Sequence, residues 1–119
     1  MKKTLVLIAA ALLSANIYAH DDDLGVLMHG FKTEFRDAAN ASSVDEMKAA
    51  VMKFDDLVEQ AKKLEYPPKK EATFQDGYQK LSVALDKVEM ALDKGDLKQA
   101  KSELKNVDMV RREFHRKLR

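Results

Sequence analysis

Apolar residues recur along this chain in steps of three and four and almost never alternate, which is the period of a helix and not of a strand. Leu24, Leu27, Met28, Phe31, Phe35 and Ala38 form a first stripe and predict a helix from about Asp23 to Ala39. Asn-Ala-Ser-Ser then interrupts it, and Ser43 with Glu46 spells a capping box for a second helix. The second stripe is Val44, Met47, Val51, Phe54, Val58 and Ala61, with Pro67-Pro68 expected to end it. A third stripe runs through Phe74, Tyr78, Leu81, Leu85, Val88 and Leu92 to Gly95, a glycine placed to cap a helix in the left-handed conformation. Asp96, with Gln99 three residues on, caps a fourth helix whose stripe is Leu97, Ala100, Leu104, Val107, Arg111, Phe114 and Leu118. Four amphipathic helices on short links make sequential neighbours antiparallel. The expected fold is therefore all-α, an up-down-up-down four-helix bundle.

The first nineteen residues stand outside this pattern. Met-Lys-Lys is a basic start, Thr4 to Leu13 is a short apolar run, and the stretch ends on Ala19. That is the layout of a secretory signal peptide over residues 1–19, and the run is shorter than the ~20 residues of a spanning helix. Cleavage after Ala19 leaves one domain, residues 20–119, bound for the periplasm. Losing Lys2 and Lys3 leaves 19 basic against 20 acidic side chains, a net charge of −1. Such a balance gives no electrostatic ground for nucleic acid, or for stable membrane association once the signal is gone. There is no cysteine, which excludes disulfides, thiolate metal sites, thiol catalysis and covalent haem attachment through a Cys-x-x-Cys-His motif. No nucleophile–base pair or two-carboxylate site is recognisable, so the chain is not expected to be an enzyme. The absence of a large exposed apolar face points to a monomer.

In the expected topology the start of the first helix, the end of the fourth and the link between the second and third share one end. That end gathers Met28, His115, Arg111, Phe74, Tyr78 and the proline pair. A thioether facing an imidazole suits haem iron. A flat macrocycle could slot between the first and fourth helices, against Leu24, Phe31, Phe74, Tyr78 and Phe114. Arg111, one turn before His115, could pair with a propionate. Each residue also has an ordinary reading. Met28, Phe74 and Tyr78 can be core filler, His115 a residue that suits a helix C-terminus, and Arg111 a solvated cation over an apolar surface. Periodicity leaves both readings open.

Three motifs bear on the choice: Asp-Leu-x-x-x-Met at Asp23 to Met28, Phe-x-x-Gly-Tyr at Phe74 to Tyr78, and Arg-x-x-Phe-His-x-Lys-x-Arg at Arg111 to Arg119. In these and in the Pro-Pro pair, essentially the whole of residues 20–119 resembles the cytochrome b562 family, whose fold is this kind of bundle. The resemblance implies one non-covalently bound haem b per chain and single-electron transfer to an unknown redox partner protein. It implies Met28 and His115 as axial ligands, Phe74 and Tyr78 as haem-facing aromatics, and Arg111 beside the histidine. The chain departs from the family in having only five residues between Pro68 and Phe74, and Asp76 where a histidine is expected. The alternatives are a haem-free helical periplasmic protein that binds a partner or acts as a chaperone, and a periplasmic copper or zinc handler using His20 with Asp21 to Asp23.

Overall fold

The computed structural model describes residues 20–118, with side chains from Asp23 onward. The expected signal segment, Met1 to Ala19, lies outside the described residues, and so does the side chain of His20 on which the metal-handling alternative rests. Four helices, α1 (His20–Asn40), α2 (Val44–Lys62), α3 (Pro68–Asp93) and α4 (Leu97–Leu118), make up the described fold, with no strand among these residues.

The helix ends are set by short-range chemistry. Ser43 caps α2 by accepting the Glu46 backbone N–H at 3.1 Å. The return arm of the box lands one residue early. The Glu46 carboxylate accepts from the backbone N–H of Ser42 at 2.7 Å and from its hydroxyl at 3.0 Å. These bonds hold the carboxyl below its ordinary pKa, the backbone N–H contributing most. At the end of α3, Gly95 takes φ +75°. Its N–H donates to Leu92 O and the Asp96 N–H to Ala91 O, both at 2.9 Å, which is a Schellman closure. Asp96 then caps α4, accepting the Gln99 N–H at 2.9 Å.

Two boundaries differ from the sequence expectation. The acidic triplet Asp21 to Asp23 is already helical, within α1, instead of preceding the helix. The proline pair does not end α2. That helix stops at Lys62, and Pro67 and Pro68 open α3, with Pro68 in its first position. Proline's missing N–H costs nothing there, because the first turn has no acceptor for it. The end of α2 is closed instead by the Lys63 N–H on Gln60 O and by Gln75 Nε2 reaching back from α3 to Lys62 O at 3.1 Å.

The stripes form one core. Every position of the third stripe is buried, as is every position of the second except Val44. Tyr78, Phe54, Met47, Leu81, Leu85 and Leu92 are its largest fully buried side chains. Lys48 of α2 pairs with Asp93 at the end of α3, Lys101 Nζ of α4 donates to Ala39 O at the end of α1, and Phe114 near the end of α4 sits on Gly77 in early α3. Each contact joins the start of one helix to the end of another, as antiparallel neighbours do.

Candidate functional site

Helices α1 and α2, α2 and α3, and α3 and α4 pack closely, while α1 and α4 barely touch. The open seam between them leaves part of both stripes incompletely covered. Leu24, Met28 and Phe35 of α1 and Leu118 of α4 are half-buried against the core, whereas Leu27, Phe31 and Phe114 are buried.

A contact across the seam fixes the facing sides. The Arg111 guanidinium lies over the Phe35 ring, 5.4 Å from its centroid. At about 100° per residue, Met28 falls roughly 20° from Phe35 around α1, and Leu24 lies equally close on the other side. His29 is turned away by roughly 120° and is exposed. On α4, His115 falls about 40° from Arg111, on the side away from Phe114 and α3. Taking Arg111 as level with Phe35, His115 sits about 6 Å further down the bundle and Met28 about 10 Å, at a rise of 1.5 Å per residue. The two donors thus border the seam from opposite sides, within a helical turn in height. His115 is exposed and Met28 half-buried. A depression of about 330 Å³ opens at His115 between Arg111, Arg112 and Arg116; Met28 does not line it.

Arg111 is held in place. Its Nη2 donates to Asp108 Oδ1 at 2.5 Å, and the other oxygen of that carboxylate takes Arg112 Nε at 3.0 Å. Yet the Arg111 Nε is buried with no partner. A buried guanidinium donor left unpaired carries a desolvation cost that an incoming anionic oxygen would relieve.

Beneath α4 lies an aromatic cluster. Phe114 meets Phe74 and Tyr78 edge-on, with centroids 5.8 and 5.2 Å apart. Phe74 stacks at 4.0 Å on Tyr66, a residue of the link before Pro67. Tyr66 O–H donates to Ala61 O at 2.6 Å, and the two tyrosine hydroxyls are 2.8 Å apart. Tyr66 has one proton and gives it to Ala61, so Tyr78 is the donor in the tyrosine pair. Burial first, then the bond to Tyr66, push the Tyr78 hydroxyl far above the ordinary range. Burial likewise raises Tyr66, with the bond from Tyr78 pulling the other way. This relay ties the short link to α2 and α3 and fixes the floor under the last turns of α4.

The structure therefore brings Arg111, Met28 and Leu24 to the seam and places His115 at its margin. Phe74 and Tyr78 lie on the α3 side, behind Phe114. Phe31 turns toward α2 and stacks on Phe54 at 5.4 Å. Asp76 is exposed and pairs with Lys80 at 3.3 Å. Sequence reasoning passed over Tyr66 and Asp108. Asp108 had a signal, its place three residues before Arg111 and four before Arg112. Tyr66 belongs to no helical stripe. Among the described residues no three His, Cys, Asp or Glu side chains gather where they could hold a metal ion. None of the described helices is long and apolar enough to cross a membrane.

The model of one family, described as Cytochrome b562, matches residues 23–119. No curated protein matches the chain.

Proposed function

The chain belongs to the cytochrome b562 family, and on that premise we propose that it is an exported electron carrier. In this reading it holds one haem b non-covalently in the seam between α1 and α4. The observation that carries the reading is the seam itself: a loosely packed junction between α1 and α4 among the described residues, edged by half-buried apolar side chains, a thioether on one side and an imidazole on the other. A flat apolar group is the shape that would complete the burial of Leu24, Met28, Phe35 and Leu118.

Met28 and His115 are the residues that would hold its iron. A thioether and a neutral imidazole are a donor pair that suits haem iron in both redox states. When bound, the haem supplies a one-electron iron couple. The remaining roles belong to the chain. Arg111, fixed by Asp108, offers its unpaired Nε to a propionate oxygen. The Tyr78–Tyr66–Ala61 relay and the rings of Phe74 and Tyr78 brace Phe114, the residue before His115, and so the stretch of α4 that carries the imidazole. Two protein donors would leave the iron no place for substrate, which fits electron transfer and not oxygen chemistry or hydrolysis. Export through residues 1–19 would put the carrier in the periplasm, as a monomer meeting a redox partner protein.

Titrating haem into residues 20–119 tests this. The expected result is a saturating one-to-one spectrum of a two-ligand haem, with a melting temperature that climbs as free haem rises, as it must for a ligand that binds only the folded state. His115→Ala should abolish the two-ligand spectrum. An unchanged melting curve in excess haem, or a two-ligand spectrum surviving in His115→Ala, would remove the cofactor or the ligand from the account.

A further inference from the structure

A groove of about 750 Å³ runs along the outer junction of α3 and α4. It follows α4 from Asn106 to Arg116, about 15 Å at 1.5 Å per residue, or nearly three helical turns. Its apolar floor comes from Val83 and Ala84 of α3 and Met109 and Val110 of α4. Met109 is 65% exposed and Val83 46%, unusual for large apolar side chains placed together on a charged surface. Lys80, Lys87, Arg112 and Arg116 stand around this floor against one acid, Glu113. Lys80 and Arg112 are partly occupied by Asp76 and Asp108. Among the described residues, Lys87 and Arg116 have no carboxylate in salt-bridge range. Counting those two carboxylates and Lys117, which pairs with Glu113, the site still carries more positive than negative charge.

The opposite sign gathers elsewhere. Asp55 and Glu89, on α2 and α3, are held above the ordinary carboxyl range, first by burial and then by neighbouring carboxylates, Asp86 among them for both. Asp55 also lines a second depression with Glu34, Asp56 and Glu59 against one base, Lys53, and a charged partner is oriented by such an asymmetry before it touches. The groove and the depression at His115 lie on different sides of α4, Met109 and His115 being about 120° apart around it, and they share one wall. Arg112 and Arg116 line both the groove and the depression at His115.

We propose that the α3–α4 groove is the docking surface for an acidic protein partner, one that lays an amphipathic helix with carboxylate flanks on Met109 and Val83, with Arg112 and Arg116 as the wall it shares with the depression at His115. This rests on the reading of His115 as an iron ligand only for its purpose. The docking itself is a property of the groove. Carboxylates on the partner answer Lys87 and Arg116, its apolar stripe covers the floor, and three turns is the length the groove accepts.

The test uses residues 20–119, with and without haem, and a synthetic helix of about twelve residues bearing a leucine stripe flanked by glutamates. Backbone amide shifts should move within 79–87 and 106–116, and binding should weaken steeply with salt. Lys87→Glu with Arg116→Glu should weaken it about tenfold or more at low salt, and Met109→Ser should weaken it at any salt. Circular dichroism checks that each variant folds. Shifts elsewhere, no shifts, or equal binding by the charge-reversed variant would overturn the proposal. So would groove shifts produced by phosphatidylglycerol vesicles and not by the helix, or by raising the concentration of the chain alone. Binding by the haem-free chain supports docking whatever becomes of the haem assignment. Normal haem binding with a silent groove sinks docking alone.

Discussion

Gly77→Ala places a single methyl group where the packing has least room. A Cβ at Gly77 would lie 2.5 Å from Cε1 and 2.7 Å from Cγ of Phe114, with Cδ1 nearer still. That ring is buried and wedged edge-on against Phe74 and Tyr78, so it cannot swing aside freely. Overpacking of this kind costs about 1–3 kcal/mol, and the better helix propensity of alanine returns about 1 kcal/mol. With three ring atoms crowded the cost lies in the upper part of that range, about 2–3 kcal/mol, so the net is a loss of about 1–2 kcal/mol, or roughly 5–15 °C of melting temperature for a domain of this size. Gly25→Ala is the matched control, because nothing lies within 4 Å of its added Cβ. It should gain up to about 1 kcal/mol. Thermal denaturation followed by circular dichroism compares the two haem-free. In the haem-bound protein Gly77→Ala should also speed haem loss, since Phe114 is the residue before His115. Equal stabilisation by both alanines would refute the packing argument and with it the role given to Phe114.

Other expectations follow from the same contacts. Tyr66→Phe keeps the ring that stacks on Phe74 but strands the Tyr78 hydroxyl in the core, and should cost about 1–3 kcal/mol in a denaturant melt; a neutral result would mean the relay carries no stability. Both tyrosines of residues 20–119 have raised folded pKa values, so their stabilising effect is complete below the unfolded value of about 10 and is lost as pH rises past it. Phenolate absorbance should stay flat to that point and then rise together with unfolding. A smooth titration in the folded state would contradict the burial. Glu89 is likewise raised, by burial first and then by Asp55, Asp86 and Asp93, so its ionised form opposes folding at neutral pH. Glu89→Gln should raise stability at pH 7 by roughly 0.5 kcal/mol after solvent screening, a gain that fades on acidification below the ordinary carboxyl range.

What was legible in the sequence was local. The stripes, the Ser43 cap, the Gly95–Asp96 junction and the inward placing of Phe54, Tyr78 and Leu85 all follow from periodicity and from hydrogen bonds spanning a few residues. The proline pair is ambiguous in sequence, because it is equally good at stopping one helix and starting another. The choice was made by a Lys62–Lys63 end that has no glycine or proline to announce it. Tyr66 was invisible for a different reason: its partners, Phe74 and Tyr78, are reached only when the short link folds back. Arg111 could be seen to interrupt the stripe, but its station over Phe35, and the unpaired Nε, depend on how α1 meets α4. A period of 3.6 residues says which face is apolar. It does not say which pair of helices stays apart, and that gap is the feature on which the functional reading stands.

Met28 and His29 are adjacent, and either side chain could bind iron. Imidazole is a competent ligand, so chemistry alone does not choose; the proposal takes Met28 because the position of Phe35 under Arg111 turns it toward the seam and leaves His29 to solvent. The deciding measurement is the absorption spectrum of the haem-loaded ferrous protein with and without carbon monoxide, in residues 20–119 and in two variants. The parent chain should resist carbon monoxide, and His29→Ala should behave as the parent does. Met28→Ala should open one axial position and bind carbon monoxide readily, with a lower reduction potential, because the thioether favours reduced iron. Ready binding by His29→Ala with a silent Met28→Ala would contradict the register of α1, and a parent chain with no haem spectrum at all would contradict the function.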